Sequence, residues 1–300
     1  MPCLLNTDIK TKRTNKKAGV KKYSEACALA MQPISSREHP FFKQLVKLER
    51  SAKQRRKSGL TILDGIHLIE AYCAALGPPI SLITSKSGHE CEEIKNLLHK
   101  VEQKQPLKVI IMSDVLFSET SPVKTPTGIM ALISIPAIKA IPVNKNEAFC
   151  VLLESIQDPG NLGSILRSAA AAGAHDVYLS KECVDTWSPK VLRAAMGAHF
   201  LLHIHERINL VEIAELFEGK IIATSVQAKN SLYQTQLTGP IAFVFGSEGK
   251  GLSDQMLKIA NEQISIPMPG KTESLNAASA AAICFFERVR QITNKQNSRP

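Results

Sequence analysis

Apolar residues recur at helical spacing through residues 40–57, where Phe41, Leu45 and Leu48 share one face and cations load the rest. An amphipathic basic helix is predicted there. Beyond it the pattern switches between strand and helix periods. Strands are predicted at 60–63, 80–84, 107–112 and 128–135, and helices at 66–76, 92–101 and near Val115, with Gly65, Gly77-Pro78-Pro79 and Thr125-Pro126-Thr127 as punctuation. Elements of this length in alternation predict a small α/β/α layer domain. A second series opens at 149–153, a run too apolar to keep a solvent face, which places it centrally in a parallel sheet. Further strands are expected at 177–179, 201–204, 221–223, 241–245 and 264–266, with helices at 162–172, 189–195, 210–216 and 252–258. A last helix opens from the polar stretch 272–276 and runs to Phe286. The fold class is α/β, and in open parallel sheets the carboxyl ends of the strands carry ligands.

Length and composition add a division. Three hundred residues, 44% of them apolar, favour two domains. The smaller is expected at 33–136, a linker at 137–146, and the parallel-sheet domain at 147–300. Residues 1–32 are expected to be a disordered basic extension; residues 1–30 show no structural period, and the alternative is that they precede a true start at Met31.

Charge is segregated. Residues 1–57 hold 15 Lys/Arg against 4 Asp/Glu, and the remaining chain 22 against 23. This asymmetry points to a polyanion, nucleic acid before membrane, because the cations do not flank an apolar face able to enter a bilayer. For residues 1–32 a solubilising tail is an equal reading. Arg37, Lys43, Lys53, Arg55, Arg56 and Lys57 are the candidate phosphate contacts. The seven cysteines are odd in number and form no C-x-x-C pair. Reduced thiols are expected, without a disulfide framework or a zinc site. With no membrane-length apolar run and no signal segment at the N-terminus, a soluble cytoplasmic protein is expected.

Three turns carry candidate chemistry. Asp158 to Gly163 leads into a helix whose single charge, Arg167, stands among alanines. It either snorkels over apolar surface or offers its fork to a phosphate or ribose oxygen. The loop from Gly246 to Gly251 follows an apolar strand; it is neither a Walker A loop nor G-x-G-x-x-G, and alone reads as a tight turn or a ligand cradle. The third, Pro267 to Asn276, crowds Thr272, Glu273, Ser274 and Asn276 at a helix mouth where one capping residue would do.

Taken together and in order, DPGNLGSILRSAAAAG, FVFGSEGKGLS and ISIPMPGKTESLNAASA resemble the three motifs of the SpoU (TrmH-like) branch of the SPOUT RNA methyltransferases. The resemblance covers roughly residues 147–290. The stretch 34–135, with ILDGIHLIEA, looks like the RNA substrate-binding domain that many members carry ahead of the catalytic one. The resemblance implies methyl transfer from S-adenosyl-L-methionine to a ribose 2′-hydroxyl of ribosomal RNA, or second to that transfer RNA. It also implies a C-terminal trefoil knot, a homodimer and no metal. By the same resemblance Arg167, Asn161, Glu248, Ser274 and Asn276 form the catalytic set, with Arg167 orienting the hydroxyl or acting as its base. Thr224, Gly246, Ile266, Met268 and Leu275 line the cofactor pocket.

Two motifs depart from the family pattern. Ala277 and Ala278 stand where members often carry Val and Ser, and Ala195 where they often carry Ser. The losses bear on substrate detail more than on the chemistry. A non-catalytic RNA-binding protein of the same fold is the competing reading, and a nucleotide-binding oxidoreductase is disfavoured by the missing glycine fingerprint.

Overall fold

The computed structural model describes residues 33–103, 106–123, 125–137 and 148–297. The expectations for residues 1–32, and for nearly all of the linker, lie outside the described residues.

The first sheet has four strands, β1 (Leu60–Asp64), β2 (Ser81–Ser85), β3 (Val109–Met112) and β4 (Ile129–Ser134), in the order β1-β4-β2-β3. Strand β4 runs antiparallel to both neighbours, and β2 runs parallel to β3. Helices α1 (Pro40–Arg50), α2 (Ala52–Ser58), α3 (Ile66–Leu76), α4 (Lys86–Glu90), α5 (Glu92–Glu102) and α6 (Asp114–Thr120) surround it. One face packs Phe42, Leu45 and Leu48 of α1 with Leu116 and Phe117 of α6. The other packs Leu68 and Ile69 of α3 with Ile94 and Leu97 of α5. Strands β1, β2 and β4 are therefore buried along nearly their whole length.

The basic helix predicted over 40–57 is two helices. Ser51 adopts extended φ/ψ of −123°/109°, and its hydroxyl accepts the Gln54 N–H at 3.2 Å as the cap of α2. Phe42 enters the core with Leu45 and Leu48, and Phe41 packs half-buried against them.

The second sheet is wholly parallel and has seven strands: β5 (Phe149–Leu153), β6 (Asp176–Leu179), β7 (His203–His205), β8 (Lys220–Thr224), β9 (Asn230–Ser231), β10 (Ile241–Phe245) and β11 (Glu262–Ser265). Their order is β7-β6-β5-β10-β8-β11-β9. Helices α7 (Pro159–Ala171), α8 (Pro189–Ala195) and α11 (Ala277–Asn297) lie over one face, and α9 (Leu210–Leu216) and α10 (Asp254–Ile259) over the other. Helix α7 begins at Pro159, three residues before the position predicted, because Asp158 caps it by accepting the Asn161 N–H at 2.7 Å. Strand β11 is inserted between β8 and β9, which only residues 225–229 connect. The chain leaving β11 therefore runs past a five-residue arch whose first amide, Ser225 N–H, donates to Ile264 O at 2.9 Å.

The two sheets share a core. Trp187 and Leu192 of the second half pack among the apolar residues of the first. The Thr61 hydroxyl donates to Trp187 O at 2.7 Å, and Arg55 Nε donates to Asp185 Oδ2 at 2.6 Å. No helix among the described residues is long and apolar enough to cross a membrane.

Candidate active site

Four adjacent strands, β5, β10, β8 and β11, deliver the three candidate turns and Thr224 to one edge of the second sheet. This is the carboxyl end, where parallel sheets bind ligands. Glu248, in the turn after β10, and Asn276, at the mouth of α11, converge on Asn161 in the first turn of α7. Asn276 Nδ2 donates to Asn161 Oδ1 at 2.8 Å, and Asn161 Nδ2 donates to Glu248 Oε1 at 2.7 Å. The direction of both amides is forced. Asn276 Oδ1 accepts the N–H groups of Ala278 and Ser279 at 2.9 and 3.3 Å, so its nitrogen must face outward, and at the far end only an amide nitrogen can donate to a carboxylate. The polar helix mouth thus both caps and reaches across the site, through Asn276. Ser274 is exposed and, like Thr272 and Glu273, takes part in no side-chain hydrogen bond among the described residues.

Arg167 lies two turns into α7 on its exposed face, in line with Ser164 and Ala171, and is not hydrogen-bonded to the Asn161–Glu248–Asn276 chain. Of the five catalytic candidates, three are joined directly, and Arg167 and Ser274 are left open to solvent.

The cofactor candidates occupy the same edge. Gly246 is fixed by its neighbours: a Cβ there would stand 2.2 Å from Gly251 C and 2.4 Å from Leu252 N, both backbone. The loop neck is closed by the paired bonds Ser247 N–H to Gly251 O (3.1 Å) and Gly251 N–H to Ser247 O (2.9 Å). The Thr224 hydroxyl donates to Val244 O at 3.0 Å, tying β8 to β10 at the strand ends. Ile266 and Met268 are half-buried, and Leu275 keeps 38% of its surface exposed. Apolar side chains left open beside backbone groups of this kind suit a flat, partly polar ligand. Nearby, Cys183 donates to Leu153 O at 3.2 Å and burial raises its pKa, so it presents no ready thiolate.

The candidate phosphate contacts divide. Lys53, Arg56 and Lys57 are exposed on α2. Arg37 is bound to Glu119, with Nε 3.1 Å from the carboxylate, and Lys43 pairs with Glu38. Arg55 is a correction: it is 3% exposed, holds Asp185, and also donates to Leu48 O and, at 2.9 Å, to Glu49 O. Its guanidinium is a tie between the two sheets and cannot meet a phosphate.

One residue at this edge carries no motif signal. Glu154, directly after β5, accepts both the N–H and the hydroxyl of Ser253 at 2.7 and 2.8 Å. An acid ending an otherwise apolar strand was the one available hint.

Both halves of the chain match known protein families. Residues 148–286 match the model of the SpoU rRNA Methylase family, and residues 39–131 match an MRM3-like substrate binding domain. The chain is 33% identical over 267 residues to an uncharacterized tRNA/rRNA methyltransferase of Synechocystis, covering 86% of this chain and 93% of that protein. It is 30% identical over 242 residues to the 23S rRNA (guanosine-2′-O-)-methyltransferase RlmB of Escherichia coli, covering 77% and 98%. The structure of the SpoU methyltransferase AviRb from Streptomyces viridochromogenes with AdoMet superposes with a TM-score of 0.74 at 27% identity, covering 85% of this chain and all of that one.

Proposed function

This chain belongs to the SpoU rRNA methylase family, and on that premise we propose that the Asn161–Glu248–Asn276 chain is the platform on which a ribose is presented for methylation. The reaction is transfer of a methyl group from S-adenosylmethionine to a ribose 2′-hydroxyl of ribosomal RNA. The observation that carries the site assignment is the convergence of Glu248 and Asn276 on one amide from positions 87 and 115 residues away in sequence.

S-adenosylmethionine supplies an electrophilic methyl group on sulfonium. Gly246, Ile266, Met268, Leu275 and Thr224 fit its adenosine part, since they offer apolar surface and backbone groups at neighbouring strand ends. A ribose hydroxyl is a weak nucleophile, so what remains for the protein is alignment and management of one departing proton. Asn161 has both amide atoms engaged within the chain and holds Glu248 and Asn276 in register. The free oxygen of Glu248 accepts a sugar hydroxyl, and Ser274 adds a donor and acceptor two residues before Asn276. Arg167 offers its guanidinium fork to the nucleotide's phosphate and so orients the sugar, lowering the cost of charge developing on the 2′-oxygen.

Several coarser features extend this reading. Residues 33–136 serve as the RNA substrate-binding domain and 147–300 as the methyltransferase domain, supported by the two separate sheets and the two family matches. The strand insertion beneath the 225–229 arch supports a trefoil knot in the C-terminal segment. Exposure of Phe286 (49%) on α11 supports a homodimer that covers that helix. Lys53, Arg56 and Lys57 supply phosphate contacts.

The test is Arg167→Ala in the full chain. S-adenosylhomocysteine binding should stay near wild type, because trimming an exposed helix residue costs little stability, while turnover on ribosomal RNA falls by about a hundredfold or more. Unchanged turnover at saturating RNA would transfer the orienting role to Glu248 and Asn276. No transfer by the wild-type protein to any RNA would favour a non-catalytic RNA-binding protein.

A further inference from the structure

The loop carrying Glu248 is 246–252, and its two ends are held by a single residue outside all three motifs. Glu154 extends the β5–β10 ladder by one bond, its N–H donating to Phe245 O at 2.9 Å, directly before the loop begins. Its carboxylate then spans to the loop's far end. There Oε2 accepts the Ser253 N–H at 2.7 Å and Oε1 accepts the Ser253 hydroxyl at 2.8 Å. Ser253 is itself the cap of α10, accepting the Met256 N–H at 3.3 Å, so the carboxylate, the loop end and the helix start form one connected unit.

The backbone after Glu154 is also unusual. Ser155 has φ of 58°, a left-handed conformation that a non-glycine residue adopts at a cost, and its N–H is taken by Ser180 Oγ at 3.0 Å. The turn parts the chain from the sheet immediately after Glu154, which leaves that side chain against the loop root while the chain continues to Asp158 and Asn161. The same segment therefore places Asn161 on one side of Glu248 and fastens the loop of Glu248 on the other.

We infer that Glu154 is a positioning residue for the methyl-transfer site: it holds the 246–252 loop at both ends, so that Gly246 keeps its place at the cofactor and Glu248 keeps its hydrogen bond to Asn161. A charged acceptor suits the task, since hydrogen bonds to a carboxylate are stronger than neutral ones and two donors converge on it. This inference rests on the proposed function only for the identity of the cofactor.

The experiment compares Glu154→Ala, Glu154→Gln, Ser253→Ala and the Glu154→Ala/Ser253→Ala double variant in the full chain. The readouts are the S-adenosylhomocysteine Kd well below the melting temperature, amide exchange across 246–253, and kcat against KM on ribosomal RNA. Glu154→Ala should weaken S-adenosylhomocysteine at least tenfold, speed exchange across the loop and lower kcat more than it raises the KM for RNA. Glu154→Gln retains one acceptor and should recover part of each loss. Ser253→Ala should cost less than Glu154→Ala and add nothing to it. A purely structural role would lower the melting temperature while leaving the Kd and the loop's exchange of the folded protein unchanged, and that result overturns the inference. Failure of the wild-type protein to bind S-adenosylhomocysteine would instead refute the functional reading beneath it.

Discussion

Gly246→Ala is the smallest change that tests the geometry of the loop. The new methyl would sit 2.2 Å from Gly251 C, 2.3 Å from Gly251 O and 2.4 Å from Leu252 N, and none of these is the movable end of a side chain. Ordinary contact begins near 3.4 Å, so the loop must retreat by about 1.2 Å. The bond from Asn161 Nδ2 to Glu248 Oε1, now 2.7 Å, would then stretch beyond hydrogen-bonding range. A displacement of about 1 Å at a reacting centre costs on the order of a hundredfold in rate. The built-in control is Gly249→Ala in the same loop, where an added Cβ meets nothing within 4 Å. Calorimetric titration with S-adenosylhomocysteine and single-turnover methyl transfer should show Gly246→Ala impaired in both and Gly249→Ala close to wild type. Equal behaviour of the two variants would refute the claim that the neck at Gly246 and Gly251 shapes the site.

Arg55→Leu removes the closer cation of the buried Asp185 carboxylate and leaves only Arg56 Nη1 at 3.7 Å, a loss of about 3 kcal/mol that should lower the melting temperature by on the order of 10 °C; a shift under about 2 °C would show the tie to be unimportant. Neutralising Lys53, Arg56 and Lys57 should flatten the salt dependence of RNA binding by about one unit per lost phosphate contact, with cofactor affinity unchanged, and an unaltered slope would move the RNA surface elsewhere. His199 is buried, with Nε2 2.8 Å from Thr186 O and Nδ1 unpartnered among the described residues, and burial pushes its pKa down to about 4. Because the folded value lies below the unfolded value of about 6.5, its contribution is intact above that pH and is lost as pH falls toward 4, amounting to roughly 3 kcal/mol. Denaturant melts of wild type and His199→Gln should therefore show a shallower loss for the variant across that window, and parallel curves would contradict it.

Much of the fold was legible because short apolar runs are bounded by glycine and proline. The boundaries read from the sequence at 66–76, 149–153, 189–195, 210–216 and 241–245 coincide with α3, β5, α8, α9 and β10. Ser51 was invisible because helical periodicity continues through it, and the two-residue β9 is too short to carry a period. Arg55 cannot be told from Arg56 in the sequence. What separates them is burial: Asp185, 130 residues away, hydrogen-bonds Arg55, which is 3% exposed, while Arg56 stays exposed with its Nη1 3.7 Å from the same carboxylate. The motifs put Asn161, Glu248 and Asn276 forward as candidates, but their hydrogen-bonded chain depends on the ends of β5, β10 and β11 being gathered at one edge of the sheet, which no local pattern encodes. Glu154 escaped notice for the same reason, since its partner Ser253 lies 99 residues downstream.

The central claim is methylation at a ribose oxygen by this site. The most direct measurement incubates the full chain and S-adenosylmethionine with ribosomal RNA lacking native modification, digests the RNA to nucleosides and weighs the products. The account predicts a single class of new product carrying one methyl group on the ribose, formed about a hundredfold or more slowly when Arg167→Ala replaces the wild type. A methyl group found on a base, or no methylation of the RNA at all, would contradict it.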